Sequence, residues 1–119
     1  VGTILVVDDE PDLRFLAKRI LTRAGHQVIA AGNGADALEA VRQVRPDLVV
    51  TDMMMPVMNG VELIRRLRAD PVTAGIPILA ASSDWHLAVE ADAALAKPYG
   101  RADLVEAAER LLREGSDRR

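Results

Sequence analysis

Thr3-Ile4-Leu5-Val6-Val7-Asp8-Asp9-Glu10-Pro11 carries three signals in immediate succession. The run from Thr3 to Val7 has no polar alternation, as expected of a strand buried on both faces in a parallel sheet. Three acids follow it. Pro11 then occupies a position that suits the first turn of a helix, where a missing N–H costs nothing. Behind it Leu13, Leu16, Ala17, Ile20, Leu21 and Ala24 recur at helical spacing until Gly25 stops them, with Phe15 off the stripe. Strand, acidic turn and helix make one β/α unit.

Outward from this unit the alternation repeats. Gln27 to Ala31 reads as a second strand. Ala37, Leu38, Val41 and Val44 mark a helix that ends before Pro46. Asp47 to Thr51 is a third strand, and a third helix starts near Asn59, with Glu62 in capping-box spacing and Val61, Ile64 and Leu67 on its apolar face. Ile76 to Ala80 and the alanine-rich Ala93 to Ala96 read as strands four and five. A last helix carries Leu104, Val105, Ala108, Leu111 and Leu112. Such alternation requires a parallel sheet with helices on both faces: an α/β fold with a single, doubly wound, five-stranded sheet. Residues 1–113 are expected to form the domain, and 114–119 a frayed polar tail or linker remnant.

Composition agrees. At 119 residues the chain is one domain by length, and at 50% apolar it is too hydrophobic to be disordered. The absence of Cys excludes disulfides, thiolate zinc sites and cysteine nucleophiles, and suits a reducing compartment. A net charge of −3 argues against direct contact with nucleic acid or an anionic membrane. Apolar runs such as Ile4 to Val7 fall far below the ~20 residues of a membrane span. The chain opens on Val1 without a leader pattern, so an excised domain of a cytoplasmic protein is expected.

In a parallel sheet of this kind, ligands bind beyond the carboxyl ends of the strands. Strand one is followed there by Asp8-Asp9-Glu10, strand three by Asp52, strand four by Ser82-Ser83-Asp84 and strand five by Lys97-Pro98. Carboxylates meeting on one rim repel each other unless a cation neutralises them, and Mg²⁺ takes oxygen ligands from one or two of them. Lys97 offers a point charge for a phosphate oxygen, and Ser82 a hydroxyl donor. Together these groups suit phosphoryl transfer onto an aspartate, with Asp52 as nucleophile. Lysine is scarce here: Arg supplies all the basic residues except Lys18 and Lys97, and one of those two falls just before Pro98.

Gly32-Asn33-Gly34-Ala35-Asp36-Ala37 also fits a dinucleotide fingerprint. Against it, Asp36 would face the pyrophosphate, and the acids, Ser82 and Lys97 would go unexplained. The glycines are better read as a turn. Met53, Met54, Met55 and Met58 are read as packing, with Met55 in the core. His86 has no second His or Cys beside it and is a poor metal ligand.

These residues resemble the receiver domain of bacterial two-component response regulators. The resemblance covers nearly the whole chain: Val6-Val7-Asp8-Asp9-Glu10, then Asp52-Met53-Met54-Met55-Pro56-Val57-Met58-Asn59-Gly60, then Ser82, then Lys97-Pro98-Tyr99. It implies the flavodoxin-like strand order 2-1-3-4-5, for which the chemotaxis receiver is a standing example. It also implies that Asp52 is the phosphoacceptor, taking its phosphoryl group from a phosphohistidine on a sensor histidine kinase or histidine phosphotransfer protein. Asp9, Asp52 and the backbone carbonyl of Met54 would bind Mg²⁺, with Asp8 acting through a metal-bound water. Lys97 would bind a phosphoryl oxygen, Ser82 would swing towards the phosphoaspartate, and the Lys97-Pro98 peptide would be cis. The chain would then be a signalling domain, not an enzyme, limited to self-directed phosphotransfer and slow autodephosphorylation. An output domain or separate partner would read its state.

Two departures stand out. Between Ser82 and Lys97 the chain is shorter than the usual receiver by roughly two helical turns. The fourth helix, between strands four and five, is therefore expected to be shortened to about residues 84–90. Three residues before Lys97, where the family usually carries a switch aromatic, stands Ala94. Output would then shift to the loop after strand four, including Trp85, while Asp84 would alter the acyl-phosphate lifetime. The alternative function is a phosphorylation-independent interaction module on the same fold. A metal-dependent phosphohydrolase would want an acid where Met54 stands, and a flavin mononucleotide site would be repelled by Asp8-Asp9-Glu10.

Overall fold

The computed structural model describes residues 2–55, 57–82 and 91–118, the last three by backbone alone. In chain order the elements are β1 (Thr3–Val7), α1 (Pro11–Arg23), β2 (Gln27–Ala31), α2 (Gly34–Val44), β3 (Leu48–Asp52), α3 (Gly60–Ala69), β4 (Ile78–Ser82), β5 (Ala93–Ala96) and α4 (Arg101–Arg118). The five strands form one parallel sheet in the order β2-β1-β3-β4-β5, the flavodoxin-like arrangement. The shortened helix expected at residues 84–90 lies outside the described residues, as do Asp84, Trp85 and His86. No helix among the described residues is long and apolar enough to cross a membrane.

Strand side chains alternate between two cores, because successive residues of a pleated strand point to opposite faces. Leu5, Val7, Val49, Ile78 and Ala80 meet Ala37 and Val41 of α2 and Leu63, Ile64 and Leu67 of α3. Ile4, Val6, Leu48, Val50 and Leu79 meet Ala17, Ile20 and Leu21 of α1 and Leu104, Ala108 and Leu111 of α4. Burial on both faces is what the unbroken apolar runs require. Phe15 is exposed, as its place off the stripe predicts, but Leu16 is exposed too. It sits at the margin of the α1 stripe, over a hollow beside Tyr99 instead of over the sheet.

Three boundaries differ from the sequence reading. β4 starts at Ile78, two residues late, because Ile76 is held in a turn by its N–H, which donates a hydrogen bond to the Thr73 carbonyl (3.1 Å), and Pro77 has no N–H to donate. It therefore ends on Ser82, which pairs with Ala96, instead of stopping before it. β3 likewise runs through Asp52. The last helix continues to Arg118, through residues expected to fray, and buried Gly115 lets it approach Pro77; a Cβ there would meet Pro77 Cγ at 3.0 Å. Among the methionines, Met53 is the one fully buried, while Met55 and Met58 pack against the core from its edge.

Candidate functional site

Register builds the site. Val7 pairs with Thr51, and Asp52 one position on pairs with Ala81, so Asp8 emerges level with Asp52 on the neighbouring strand. Ser82 and Ala96 form the next row of the sheet, and Lys97 leaves β5 directly after it. The Lys97 amide donates to the Ser82 carbonyl (3.1 Å), and the Lys97-Pro98 peptide is cis. From this edge the lysine side chain reaches back over β4 to the acids of β1 and β3. Its Nζ lies 3.2 Å from Asp8 Oδ2 and 3.4 Å from Asp52 Oδ1.

Asp8 and Asp52 are both buried, and Asp9 is half-buried. One carboxylate oxygen from each lies within 4.8 Å of the others. Burial pushes the Asp52 carboxyl above the usual aspartate range; Lys97 opposes this, Asp8 adds to it, and the Met54 amide, 3.4 Å from Oδ1, opposes it again. For Lys97, burial alone would lower the ammonium, but Asp8 and Asp52 outweigh it and hold the group above its ordinary value. Tyr99 is raised, chiefly by burial. Among the described residues, three carboxylates against one ammonium leave an excess of negative charge in a half-dry site, and an all-oxygen donor set suits a hard divalent cation such as Mg²⁺.

The loop from β3 to α3 is pinned against this rim. Gly60 donates its amide to the Met53 carbonyl (3.0 Å), and a Cβ on Gly60 would meet the Asp52 carbonyl at 2.5 Å. Only glycine allows α3 to begin so close beneath β3. Asn59 caps that helix, its side chain accepting from the Glu62 amide (3.0 Å), where the capping-box spacing placed it. In the same loop Val57 takes a φ of 69°, a left-handed conformation costly for a β-branched residue. Gly34 makes a second close approach: its amide donates to the Met58 carbonyl (3.2 Å), and a Cβ would sit 2.6 Å from that oxygen. The first turn of α2, which a pyrophosphate would need, is therefore covered by protein, and Asn33 caps it through the Asp36 amide (2.8 Å). The dinucleotide pattern is a packing and capping device.

Of the residues singled out from sequence, Asp8, Asp9, Asp52 and Lys97 come together, with Ser82 buried one row beyond Asp52. Met54, two residues past Asp52, has its side chain exposed. Sequence reasoning missed Arg14, whose Nη1 donates to the Asp8 carbonyl (2.8 Å). No periodicity marks it; the only available signal is a polar residue in the first turns of α1, close enough to fold back over the acidic turn.

The response regulator receiver domain family matches residues 4–109. The DNA-binding response regulator MtrA of Mycolicibacterium smegmatis is 40% identical over 121 residues, covering 96% of this chain but 52% of MtrA. The chain thus spans about half the length of the first curated relatives it matches. Among solved structures, the signal receiver domain of a histidine kinase from Syntrophus aciditrophicus superimposes with a TM-score of 0.88 at 33% identity, covering 96% of this chain and 92% of that one. The chemotaxis response regulator CheY4 of Vibrio cholerae gives 0.87 at 29% identity, covering 93% and 98%. Sheet order, an acid-rich rim and sequence kinship thus agree, and the chain belongs to the receiver domains of response regulators.

Proposed function

We propose that this receiver is a phosphorylatable switch in which Asp52 accepts a phosphoryl group from a phosphohistidine on a sensor histidine kinase or histidine phosphotransfer protein, in a Mg²⁺-dependent reaction. One observation carries the reading: Lys97 Nζ stands 3.2 and 3.4 Å from Asp8 and Asp52, inside a cluster of three carboxylates that it cannot neutralise alone. Asp9, Asp52 and the Met54 carbonyl would hold the ion, with Asp8 bound through a water. When bound, Mg²⁺ supplies the positive charge that lets a phosphate approach these acids.

The chain's own groups do the rest. A carboxylate oxygen of Asp52 attacks phosphorus; the new P–O bond forms as the P–N bond to the donor imidazole breaks, and the ring nitrogen keeps the electron pair. Lys97, held in its charged form by Asp8 and Asp52, donates to a phosphoryl oxygen as charge shifts onto it. Ser82 turns its hydroxyl to the acyl phosphate and so reports its presence. The reaction is self-directed, followed by slow hydrolysis of the acyl phosphate, and no free substrate is turned over.

An apolar hollow of about 410 Å³ lies beside Lys97, lined by Leu13, Leu16, Pro98 and Tyr99, and is consistent with a donor protein approaching from that side. On this reading an output domain or a separate partner in the cytoplasm would read the switch, as the output of a response regulator requires. MtrA is a DNA-binding regulator, but the receiver itself, with a net charge of −3, is not expected to touch nucleic acid.

Intact-mass measurement after incubation with a small acyl phosphate tests the reading. Wild type with Mg²⁺ should gain one phosphoryl group, while Asp52→Asn and the metal-free control should gain none. Equal gain in Asp52→Asn would move the acceptor elsewhere, and no gain in wild type would favour the phosphorylation-independent module.

A further inference from the structure

We infer that Arg14 is a positioning residue for the metal-binding acids: by holding the Asp8 carbonyl, it sets the direction in which Asp9 presents its carboxylate. The inference rests on the Mg²⁺ reading above and adds a residue to it.

Asp8 is held at four points. Its amide donates to the Ala31 carbonyl (3.2 Å), its Oδ1 accepts from the Glu10 amide (3.0 Å), and its Oδ2 accepts from Lys97 (3.2 Å). The fourth is its carbonyl, which accepts from Arg14 Nη1 at 2.8 Å. Asp9 is the opposite case. Among the described residues it has no hydrogen-bond or ion-pair partner, yet its carboxylate lies within 4.8 Å of those of Asp8 and Asp52. What keeps it facing two like charges is therefore the backbone that carries it. The Asp8 carbonyl and the Asp9 nitrogen belong to one planar peptide, so fixing that oxygen fixes the plane from which Asp9 departs.

Arg14 is itself seated. A Cβ on Gly32 would lie 3.0 Å from Nη1, so the guanidinium rests against the turn between β2 and α2. A charged donor makes the bond to the carbonyl stronger than a neutral one would. Arg14 forms no ion pair with the three acids, so it orients the loop while leaving the negative charge for the cation.

Calorimetric titration of the chain with MgCl₂ tests this. Arg14→Met keeps the stem and removes the donor, and should weaken Mg²⁺ binding about tenfold. Arg14→Lys, which keeps a donor, should recover most of that loss. In an Asp9→Asn background, Arg14→Met should change affinity by less than about twofold, because the residue it positions is no longer a ligand. Urea unfolding without metal shows whether each variant is folded; a merely structural Arg14 would lower that stability and leave the affinity of the folded chain alone. Wild-type affinity in Arg14→Met, with binding weakened in Asp9→Asn, overturns the positioning role while the metal reading stands. A wild-type chain that binds no Mg²⁺ overturns both.

Discussion

Charge collects at opposite ends of this sheet in two clusters, and the two are finished differently. At the amino end of β4, Asp92 Oδ2 accepts from Arg68 Nη2 (2.6 Å) and from the Ile78 amide (2.7 Å). Arg68 Nη1 donates in turn to the carbonyls of Ala74 (2.7 Å) and Ile76 (2.9 Å). One acid meets one base, and the backbone supplies further partners to both. At the carboxyl ends, Asp8, Asp9 and Asp52 share the single ammonium of Lys97. A charge-balanced pair of this kind ties the segment before β5 to the start of β4. A cluster with surplus charge lowers its energy by taking up something else, and that is where chemistry becomes possible.

The contrast can be broken by removing the cation from each end. Lys97→Ala should slow phosphorylation by small acyl phosphates roughly 100-fold, the scale of losing one preorganised electrostatic donor, measured as the rate of mass gain at saturating Mg²⁺. Arg68→Ala should leave that rate unchanged while the chain is folded, but cost about 2 kcal/mol in urea unfolding, because it leaves a partly buried Asp92 short of its partner. If Arg68→Ala slowed phosphorylation as Lys97→Ala does, the division of labour between the two ends would be wrong.

A smaller effect sharpens the same contrast. Asp52 has its carboxyl raised by burial, so the folded chain holds that proton more tightly than the unfolded one. Its contribution to stability is full below the ordinary aspartate value of 3.8 and is lost as pH rises through the raised one, leaving the ionised form a net cost at neutrality. Without metal, Asp52→Asn should therefore be more stable than wild type at pH 7, by about 1 kcal/mol, with the difference vanishing in acid. Mg²⁺ should reverse the order, because wild type at 100-fold excess over its dissociation constant gains about 2.7 kcal/mol that the variant largely lacks. Urea titrations at both pH values, with and without Mg²⁺, read this directly.

Much of this was legible in one dimension. The unbroken apolar runs of β1 and β3 stated that both faces of the sheet are covered, and the acids at their ends marked the rim on which Asp8, Asp9 and Asp52 meet. Legibility failed where a boundary depends on contacts distant in sequence. Nothing local says that Pro77 and the Thr73–Ile76 turn delay β4, or that Gly115 carries the last helix past Pro77. The glycine pattern at Gly32 and Gly34 was open to two readings, and the Met58 carbonyl pressed against Gly34 decides between them.

Alternation of short strands with amphipathic helices settled the class of fold, and the residue types placed after each strand named the charged groups at its rim, because burial periodicity and charge are properties of the chain itself. Which acids face one another, how far Lys97 reaches, and that Arg14 turns to a backbone oxygen were decided only by the packed sheet. Parallel register aligns residues tens of positions apart, and electrostatic energy depends on distance through space, not along the chain.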